Sequence, residues 1–215
     1  MKYTVNQMPW YFRSVFWLFG YGLGFLFFLL IRVIRLSCHI KITGQENLER
    51  SSGHILAMWH HENMPAFVAD IFRISKGRYI LINHPAWYMK PVHIALRRLG
   101  VQKLSLGSTG CGGQKAADEV AQYLKQGWST HINPDGPAGP PKILRRGVLH
   151  MARQSGVPII AVKAMSPRQY VFSKTWDGKR LPLPFNAITI VYEEPIFVTE
   201  HNFEQSEKLL IEKLG

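Results

Sequence analysis

The sequence predicts an α/β fold: a single domain with a mixed, mostly parallel sheet flanked by helices, preceded by an N-terminal membrane-anchoring helical segment. Two observations support this prediction. Short apolar runs alternate with helical stretches beyond residue 55, and residues 14–31 carry no formal charge. A chain of 215 residues of which 47% are hydrophobic suits one domain with a sizeable core. We expect the anchor over residues 1–40 and the α/β domain over residues 41–215.

The uncharged N-terminal segment begins at Ser14 and ends at Ile31. As a helix it covers about 27 Å, close to the thickness of a hydrocarbon core. Spanning, hairpin and interfacial anchors remain open, because its three glycines either pack helices or break the segment. Arg32, Arg35 and Lys41 follow in place of a cleavage site. This argues against a signal peptide and, by the positive-inside tendency, places the rest of the chain in the cytoplasm.

The alternation of strands and helices is read from apolar runs and their periodicity. The predicted strands cover residues 55–58, 79–82, 101–104, 130–132, 159–163 and 188–191. The predicted helices cover residues 64–74, 92–99, 114–126 and 147–154, and a last one begins near residue 204.

The chain is strongly basic, with 26 Lys and Arg residues against 14 Asp and Glu residues. Such a charge attracts nucleic acid, anionic lipid headgroups or an acidic carrier protein. Because the basic residues are dispersed and no recognition motif accompanies them, we expect no nucleic-acid partner. Cys38 and Cys111 lie far apart, which fits a reducing compartment and argues against a disulfide framework or a zinc site. The oligomeric state stays open.

A proline-stiffened loop, Asn133–Pro140, follows the predicted strand at residues 130–132. Its prolines fix φ and its glycines allow close approach, so Asp135 and Gly136 are presented in one geometry at a strand's carboxyl end. This is where α/β folds place their sites, although an Asp-Gly turn also arises for purely local reasons. Lys142 and Arg145 follow this loop, and they either flank a bound phosphate or are charged side chains exposed at the surface.

Histidines follow two of the predicted strands. His60 and His61 come after residues 55–58, and His84 comes after residues 79–82. A neutral imidazole, whose ordinary pKa is about 6.5, can take a proton from an attacking alcohol, a role worth about 10²–10⁴ in rate. The alternative is a set of hydrogen-bonded loop histidines without a chemical role.

A glycine-rich loop precedes the predicted helix at residues 114–126. It contains Gly107, Ser108, Gly112, Gly113 and Lys115. Free backbone N–H groups and the dipole of the following helix favour an anion there. The loop is not a Walker motif, because the Gly-Lys-Ser/Thr ending is absent. A flexible connector is the alternative.

Taken in order, these elements resemble the lysophospholipid acyltransferase family of the glycerolipid acyltransferase superfamily, in particular a bacterial subgroup with Trp-His at the first site. Each piece is short, and their ordered spacing over residues 54–198 carries the resemblance. The matching pieces are Met58–His60, Leu99–Gly100, Gly107–Ser108, Gly112–Gly113, Asn133–Pro137, Gly139–Pro140, Gly147–Val148, Gly156–Ile160, Ser173–Asp177, Pro182–Phe185 and Glu194–Ile196.

The resemblance implies acyl transfer from an acyl thioester, on coenzyme A or acyl carrier protein, to a hydroxyl of a lysolipid. No acyl-enzyme, cofactor or metal is expected. The lysolipid acceptor and membrane lipids are the other expected partners, at the cytoplasmic face of a bacterial inner membrane. His60 would be the general base. The Asp135–Gly136 loop stands in the place of an acceptor-binding block, and Gly107–Ser108 in that of the second block.

The sequence departs from the superfamily at the acid of its His-x4-Asp dyad. Pro65 and Ala66 stand where a carboxylate is expected after His60 and His61. We expect Asp135, Asp70, a backbone carbonyl or water to orient the imidazole instead.

Two alternatives follow from this departure. Asn83-His84 imitates the superfamily motif, with Met89 in the position of the acid, so His84 is a second candidate for the base. A non-catalytic membrane lipid-binding protein on the acyltransferase fold is the other, because a missing acid puts activity in doubt.

Overall fold

The computed structural model describes residues 3–108 and 110–215, so residues 1 and 2 of the predicted anchor and Thr109 of the glycine-rich loop lie outside the description. The α-helices are α1 Arg13–Ser37, α2 Asn63–Ala69, α3 Ile71–Ile74, α4 Lys90–Arg98, α5 Gly113–Leu124, α6 Gly147–Ser155 and α7 Phe203–Leu214. The strands are β1 His39–Thr43, β2 Ile55–Ala57, β3 Tyr79–Asn83, β4 Val101–Leu106, β5 Thr130–Ile132, β6 Ile159–Met165, β7 Gln169–Val171, β8 Arg180–Pro182 and β9 Ala187–Tyr192.

The central sheet has the order β1-β9-β6-β2-β5. All neighbours run parallel except β6 and β9, which are antiparallel. The parallel pair β3-β4 extends this sheet beyond β5, since Ile80 N–H donates to the Ser129 carbonyl at 3.0 Å and Ser129 N–H donates to the Arg78 carbonyl at 2.8 Å. The predicted α/β class with a mostly parallel sheet is therefore confirmed.

Both faces of the sheet are buried, because successive side chains of a strand point to opposite sides. Leu56 of β2 joins the core cluster that contains Ile31 and Ile34 of α1. Ile55 joins the other cluster, which contains Leu210 of α7 together with apolar residues of α5 and α6. The chain thus places α1, α2 and α4 on one side of the sheet and α5, α6 and α7 on the other.

The N-terminal segment is a single helix, and its glycines pack rather than break it. A Cβ on Gly24 would lie 2.7 Å from both the Ile94 Cβ and the Pro91 carbonyl of α4, whereas a Cβ on Gly22 would meet nothing within 4 Å. The face of α1 that carries Gly20 and Gly24, four residues apart, therefore lets this helix approach α4 closely within the same chain. Arg32 fixes the same helix near its end through a 2.7 Å ion pair with Asp70.

Three features of the structure differ from the predictions, and the first is the edge strand β1, which no predicted strand covers. The helix predicted over residues 64–74 is divided at Asp70, which has φ of +70° and separates α2 from α3. Asp tolerates this left-handed conformation better than most residues do. The small pair β7-β8 was not predicted, because it lies outside the central sheet and shows no alternating apolar pattern.

Candidate active site

His60 stands immediately beyond β2, where a short 3-10 turn over His60–Glu62 leads into α2. Its backbone N–H donates to the Asp135 carboxylate, at 3.1 Å to Oδ1 and 3.4 Å to Oδ2. Asp135 is fully buried in the proline-stiffened loop and also accepts the Lys142 N–H at 3.4 Å. Burial raises the pKa of Asp135, although these backbone N–H groups oppose the rise. Asp135 therefore fixes the backbone of His60 and does not contact its ring.

The imidazole of His60 has a carboxylate partner elsewhere in the chain. Its Nδ1 lies 2.6 Å from Oδ2 of Asp177. The Asp177 side chain is 1% exposed, whereas that of His60 is 22% exposed. Burial is the largest single effect on the pKa of Asp177 and raises it, but the hydrogen bonds from His60 and Thr175, together with the nearby charges of His60 and Lys179, outweigh burial, and the pKa lies below the ordinary value. Asp177 is thus an ionised acceptor for Nδ1–H, and in the neutral imidazole this tautomer puts the lone pair on Nε2, which can then act as a base.

Asp177 is carried by the loop between β7 and β8. The preceding residue, Trp176, places its ring 5.1 Å from that of His60. On its other side the ring leaves no room for a side chain at position 139, since a Cβ on Gly139 would lie 2.5 Å from Trp176 Cε3. One packed unit is therefore formed by the proline-stiffened loop, Trp176 and His60. It holds together the pair of His60 and Asp177, which we call the dyad.

The predicted orienting groups for His60 were wrong. Asp70 pairs with Arg32 on α1, and Asp135 contacts only the backbone of His60. The acid is separated from the histidine by 117 residues, so no local spacing pattern contains both. The only signal in the sequence was that Ser173–Asp177 is one of the pieces that carry the resemblance.

His60 opens onto a cavity of about 1080 Å³, which exceeds the roughly 300–1,000 Å³ of usual small-molecule pockets. Its walls are mostly apolar and come from α1, α2, α4, β3 and the segment that contains β7 and β8. The apolar side chains among them include Phe27, Leu30, Met64, Phe67, Leu81, Val92, Leu96, Phe172 and Leu181. A cavity of this size and lining can accommodate a hydrocarbon chain next to the histidine.

The glycine-rich loop forms another wall of the same cavity. Gly107, Ser108, Gly112, Gly113 and Lys115 all line it. Two of these glycines are required by close packing: a Cβ on Gly107 would lie 2.7 Å from the Gly112 carbonyl, and one on Gly113 would lie 2.7 Å from the Ser108 carbonyl. Gly112 has φ of +67° and is the N-cap of α5, so the first N–H groups of this helix lie at the cavity wall. Such a helix start, with Lys115 in its first turn, is suited to an anion.

The other predicted histidines have different surroundings. His84 also lines the cavity, and its Nδ1 accepts the Ala86 N–H at 3.1 Å, but no carboxylate pairs with it. His61 is 5% exposed and does not line the cavity. Burial, with help from Arg180, lowers the pKa of His61 to about 4. His61 is therefore a neutral, buried neighbour of the dyad.

Of the remaining predicted binding residues, only Gly136 lines the cavity, with φ of +72°. Lys142 is exposed, and its Nζ donates to the Gly215 carbonyl at 2.9 Å. The Arg145 guanidinium donates to the Gly139 carbonyl at 2.6 Å. Lys142 and Arg145 thus hold the proline-stiffened loop and the end of the chain, and neither lines the cavity.

Sequence reasoning gave no role to a pair of amides beside the histidine. Asn63 and Asn133 exchange two hydrogen bonds, at 3.0 and 2.9 Å, and both line the cavity. Asn133 also donates to the Met58 carbonyl at 2.9 Å. This pair ties the start of α2 to the loop that carries Asp135, and it supplies polar groups to an otherwise apolar wall.

The fold buries several titratable groups, some of them beside the cavity. Burial lowers the pKa of four histidines, to about 4 for His54, His61 and His93 and to about 3 for His131. Burial raises the pKa of Glu62, next to His61, to about 7. Among the residues that the structure describes, no three His, Cys, Asp or Glu side chains gather in a way that could hold a metal ion.

Comparison with known proteins shows a fold that has been seen before. No family model matches the chain. A curated protein from Rickettsia prowazekii (strain Madrid E), described as uncharacterized protein RP090, is 29% identical over 176 residues, which cover 79% of this chain and 78% of that protein. Among solved structures, the 1-acyl-sn-glycerophosphate (LPA) acyltransferase PlsC from Thermotoga maritima superposes with a TM-score of 0.53 at 16% identity, covering 94% of this chain and 79% of that one. The chain therefore shares the fold of that acyltransferase.

Proposed function

We propose that this protein is a membrane-associated acyltransferase of lipid biosynthesis, which moves an acyl chain from an acyl thioester to a hydroxyl of a lysophospholipid or a related lipid. One observation carries the proposal: a His60–Asp177 pair at 2.6 Å opens onto a large apolar cavity that a helix start also lines. The shared fold with an LPA acyltransferase supports it. The donor is acyl-coenzyme A or acyl carrier protein.

The dyad has the groups that this transfer needs. Nε2 of His60 takes the proton of the acceptor hydroxyl while that oxygen attacks the thioester carbonyl carbon. The tetrahedral intermediate then collapses, the C–S bond breaks, and the departing thiolate takes the proton back from the imidazolium. Asp177 holds the ring in one tautomer and stabilises its transient positive charge, the role of the carboxylate in hydrolase triads. A thioester is already activated, so positioning and proton transfer suffice without an acyl-enzyme.

The glycine-rich loop is the proposed site for the phosphate of the acceptor. The N–H groups at the start of α5 and the Lys115 ammonium are donors, and they share a cavity with His60. The acyl chain takes the apolar part of this cavity, near Phe27 and Leu30 of α1. Helix α1 thereby forms both the proposed anchor and a wall of the site.

We propose that α1 lies along one face of the bilayer. The helix segment Trp10–Ser37 is long and apolar enough to cross a membrane by length and composition. Its inward side, however, is buried against the domain from Phe16 to Ile34, a stretch of about 27 Å. A spanning α1 would carry the packed α4, with the exposed Arg97 and Arg98, into the hydrocarbon, at several kcal/mol per charge. The face is proposed to be the cytoplasmic side of a bacterial inner membrane.

The alternative of a non-catalytic lipid-binding protein rested on the missing dyad acid. Asp177 supplies a carboxylate at hydrogen-bonding distance from His60, which removes the reason for that alternative. We therefore favour the enzyme.

The test is acyl transfer by the detergent-purified protein from labelled acyl-coenzyme A and acyl carrier protein to a panel of lysolipids. The variants are His60→Ala, Asp177→Asn and His84→Ala. His201→Ala, an exposed histidine in the turn before α7, is the matched control. Circular dichroism and a thermal melt establish that each variant is folded.

The proposal expects transfer that is lost in His60→Ala and strongly reduced in Asp177→Asn, with His201→Ala unchanged. Loss confined to His84→Ala would assign the base to His84, which also lines the cavity. Absence of transfer by the folded wild type with both donors, combined with retained lysolipid binding, would reject the enzyme in favour of the lipid-binding alternative.

A further inference from the structure

Residues 165–186 run from the last residue of β6 to the residue before β9 and contain the β7-β8 pair, which is separate from the central sheet. Within it, six apolar side chains are more than a third exposed: Met165, Tyr170, Val171, Phe172, Leu183 and Phe185. Three of the six are aromatic, the kind of side chain that is enriched where proteins meet the headgroup region of a bilayer. Clustered exposed apolar side chains of this kind mark an interaction surface.

Phe185 is the clearest member of this surface. Its side chain is 81% exposed, and its backbone has φ of +54°, a left-handed conformation that costs an L-residue about 1–2 kcal/mol. Hydrogen bonds hold that conformation from both sides: Ser37 Oγ accepts the Phe185 N–H at 3.2 Å, and the Phe185 carbonyl accepts Arg168 Nη1 at 3.3 Å. The fold thus fixes a large apolar ring in water in a strained conformation, which points to a partner for the ring.

The charge of the segment fits an anionic partner. Residues 165–186 contain four basic side chains and one acidic side chain, Asp177. Asp177 is buried against His60, so the charge that the segment presents to solvent is positive. Basic side chains interspersed with aromatic ones are typical of contact with anionic lipid headgroups.

The surface continues directly from the exposed face of α1. The α1 residue next to the contact, Leu36, is 82% exposed, and the following Ser37 makes the hydrogen bond to Phe185. Phe172 and Leu181 of the segment line the same cavity as Phe27 and Leu30 of α1. A bilayer in contact with α1 would therefore meet this segment as well, on either side of the cavity.

We propose that residues 165–186 form a second bilayer contact, which lies on an anionic lipid surface beside α1 and holds Asp177 next to His60. The occupant of this surface is the headgroup and upper acyl region of the bilayer. As far as it concerns Asp177, the inference rests on the proposed function. It goes beyond that function in assigning lipid contact to the element that carries the dyad acid.

The test places an environment-sensitive fluorophore at single cysteines in the full-length protein. Cys38 is buried, so Cys111→Ser gives the background for labelling. The positions are Phe185→Cys in the segment, Leu36→Cys on α1, and Gln205→Cys on the exposed side of α7, across the sheet from α1. Each labelled protein is mixed with vesicles of phosphatidylcholine and phosphatidylglycerol, with and without lipids that carry a quencher on the acyl chain.

We expect a blue shift and quenching at positions 185 and 36 and neither at position 205. Quenching at position 36 with position 185 still in water would overturn the inference while leaving the α1 anchor intact. Equal quenching at all three positions would also overturn it, because the contact would then not be local. Transfer assays on the unlabelled wild type are independent of these labels, so failure of the inference and failure of the proposed function are distinguishable.

A second measurement uses Phe185→Asn, since Asn tolerates positive φ and keeps the backbone while removing the ring. At limiting phosphatidylglycerol vesicles, the loss of one buried phenyl ring should lower the partition coefficient about tenfold. His201→Ala is the control. Partitioning equal to wild type, in a variant that melts at or above the wild-type temperature, would show that the ring does not enter the bilayer and would refute the proposal.

Discussion

Replacing Asp177 by Asn tests the candidate site most directly. The two side chains have nearly the same volume, and the Asp177 side chain is 1% exposed, so the exchange creates no cavity. What changes is the partner of Nδ1, which lies 2.6 Å from Oδ2. An amide that presents its NH2 group to Nδ1 favours the tautomer with the proton on Nε2, and that nitrogen then cannot accept the proton of an alcohol.

The expected loss follows from what remains in place. In hydrolase triads the same exchange lowers kcat about 10⁴-fold. Here the backbone of His60 stays bound to Asp135, and the ring stays against Trp176, with ring centres 5.1 Å apart. The ring orientation therefore survives and the tautomer changes, so the exchange removes a general base worth about 10²–10⁴ in rate, and we expect kcat to fall by about that factor, which corresponds to about 2.7–5.4 kcal/mol of transition-state stabilisation.

The assay is the initial rate of transfer from a labelled acyl thioester at saturating acceptor, with a thermal melt of each variant. Asp118→Asn is the matched control, because Asp118 lies on α5 and its carboxylate accepts a hydrogen bond from Gln114 on the same helix. The KM values should change little, since the role of Asp177 is in proton transfer. A folded Asp177→Asn protein with at least a third of the wild-type rate would refute the dyad.

Three further predictions concern the packing and the buried charges. Gly139→Ala should destabilise the protein by at least about 1–2 kcal/mol and lower the rate of acyl transfer, because φ is +71° and the added Cβ would displace Trp176. A denaturant melt and an acyl-transfer rate that both match wild type would contradict this prediction. Gly24→Val should lower the free energy of unfolding by about 1–3 kcal/mol, because it overpacks α1 against α4. Gly22→Ala, with open space around it, should raise that free energy by about 0.5–1 kcal/mol. Equal melting temperatures of the two variants would show that the two helices do not pack. Unfolding near pH 5 should take up about three protons, because the four buried histidines gain protons on unfolding and Glu62, whose pKa is raised in the fold, loses one. Stability should therefore fall steeply as the pH drops from about 6.5 to about 4, and a melting temperature that is constant between pH 7 and pH 5 would refute the neutral buried histidines.

The sequence predicted four of the five strands of the central sheet and most helices, because each is recorded in a short local pattern, whereas the edge strand β1 was not predicted. The apolar run at residues 55–58 gives β2, and the glycine-rich loop gives the start of α5 at Gly113. Where the pattern was ambiguous, tertiary contacts decided. The glycines of α1 break a helix in isolation, but here Gly24 lies against Ile94 and the helix continues to Ser37.

The dyad acid lay beyond such reasoning for a physical reason. A carboxylate that follows a histidine on one helix has a fixed spacing, whereas Asp177 reaches His60 across 117 residues through a segment outside the central sheet. The proline-stiffened loop was correctly singled out as rigid, yet its Asp135 serves the backbone of His60. Gly139 in the same loop provides the space for Trp176. The rigidity was visible in the sequence, and the identity of the group it positions was not.

The two halves of the dyad are held by elements of unequal stability. His60 follows a strand that is buried on both faces in the middle of the sheet, and its backbone is bound to a carboxylate with no exposed surface. Asp177 lies in the loop between two three-residue strands, and such a short ladder is marginal in water unless it packs against something else. On the protein side that packing is supplied by Leu181 of β8 against the core, by Trp176 against Gly139 and by the hydrogen bond from Phe185 to the end of α1. The segment that carries Asp177 is therefore tied to the end of α1, so the proposed lipid contact of both elements would act on the same arrangement of Asp177 and His60.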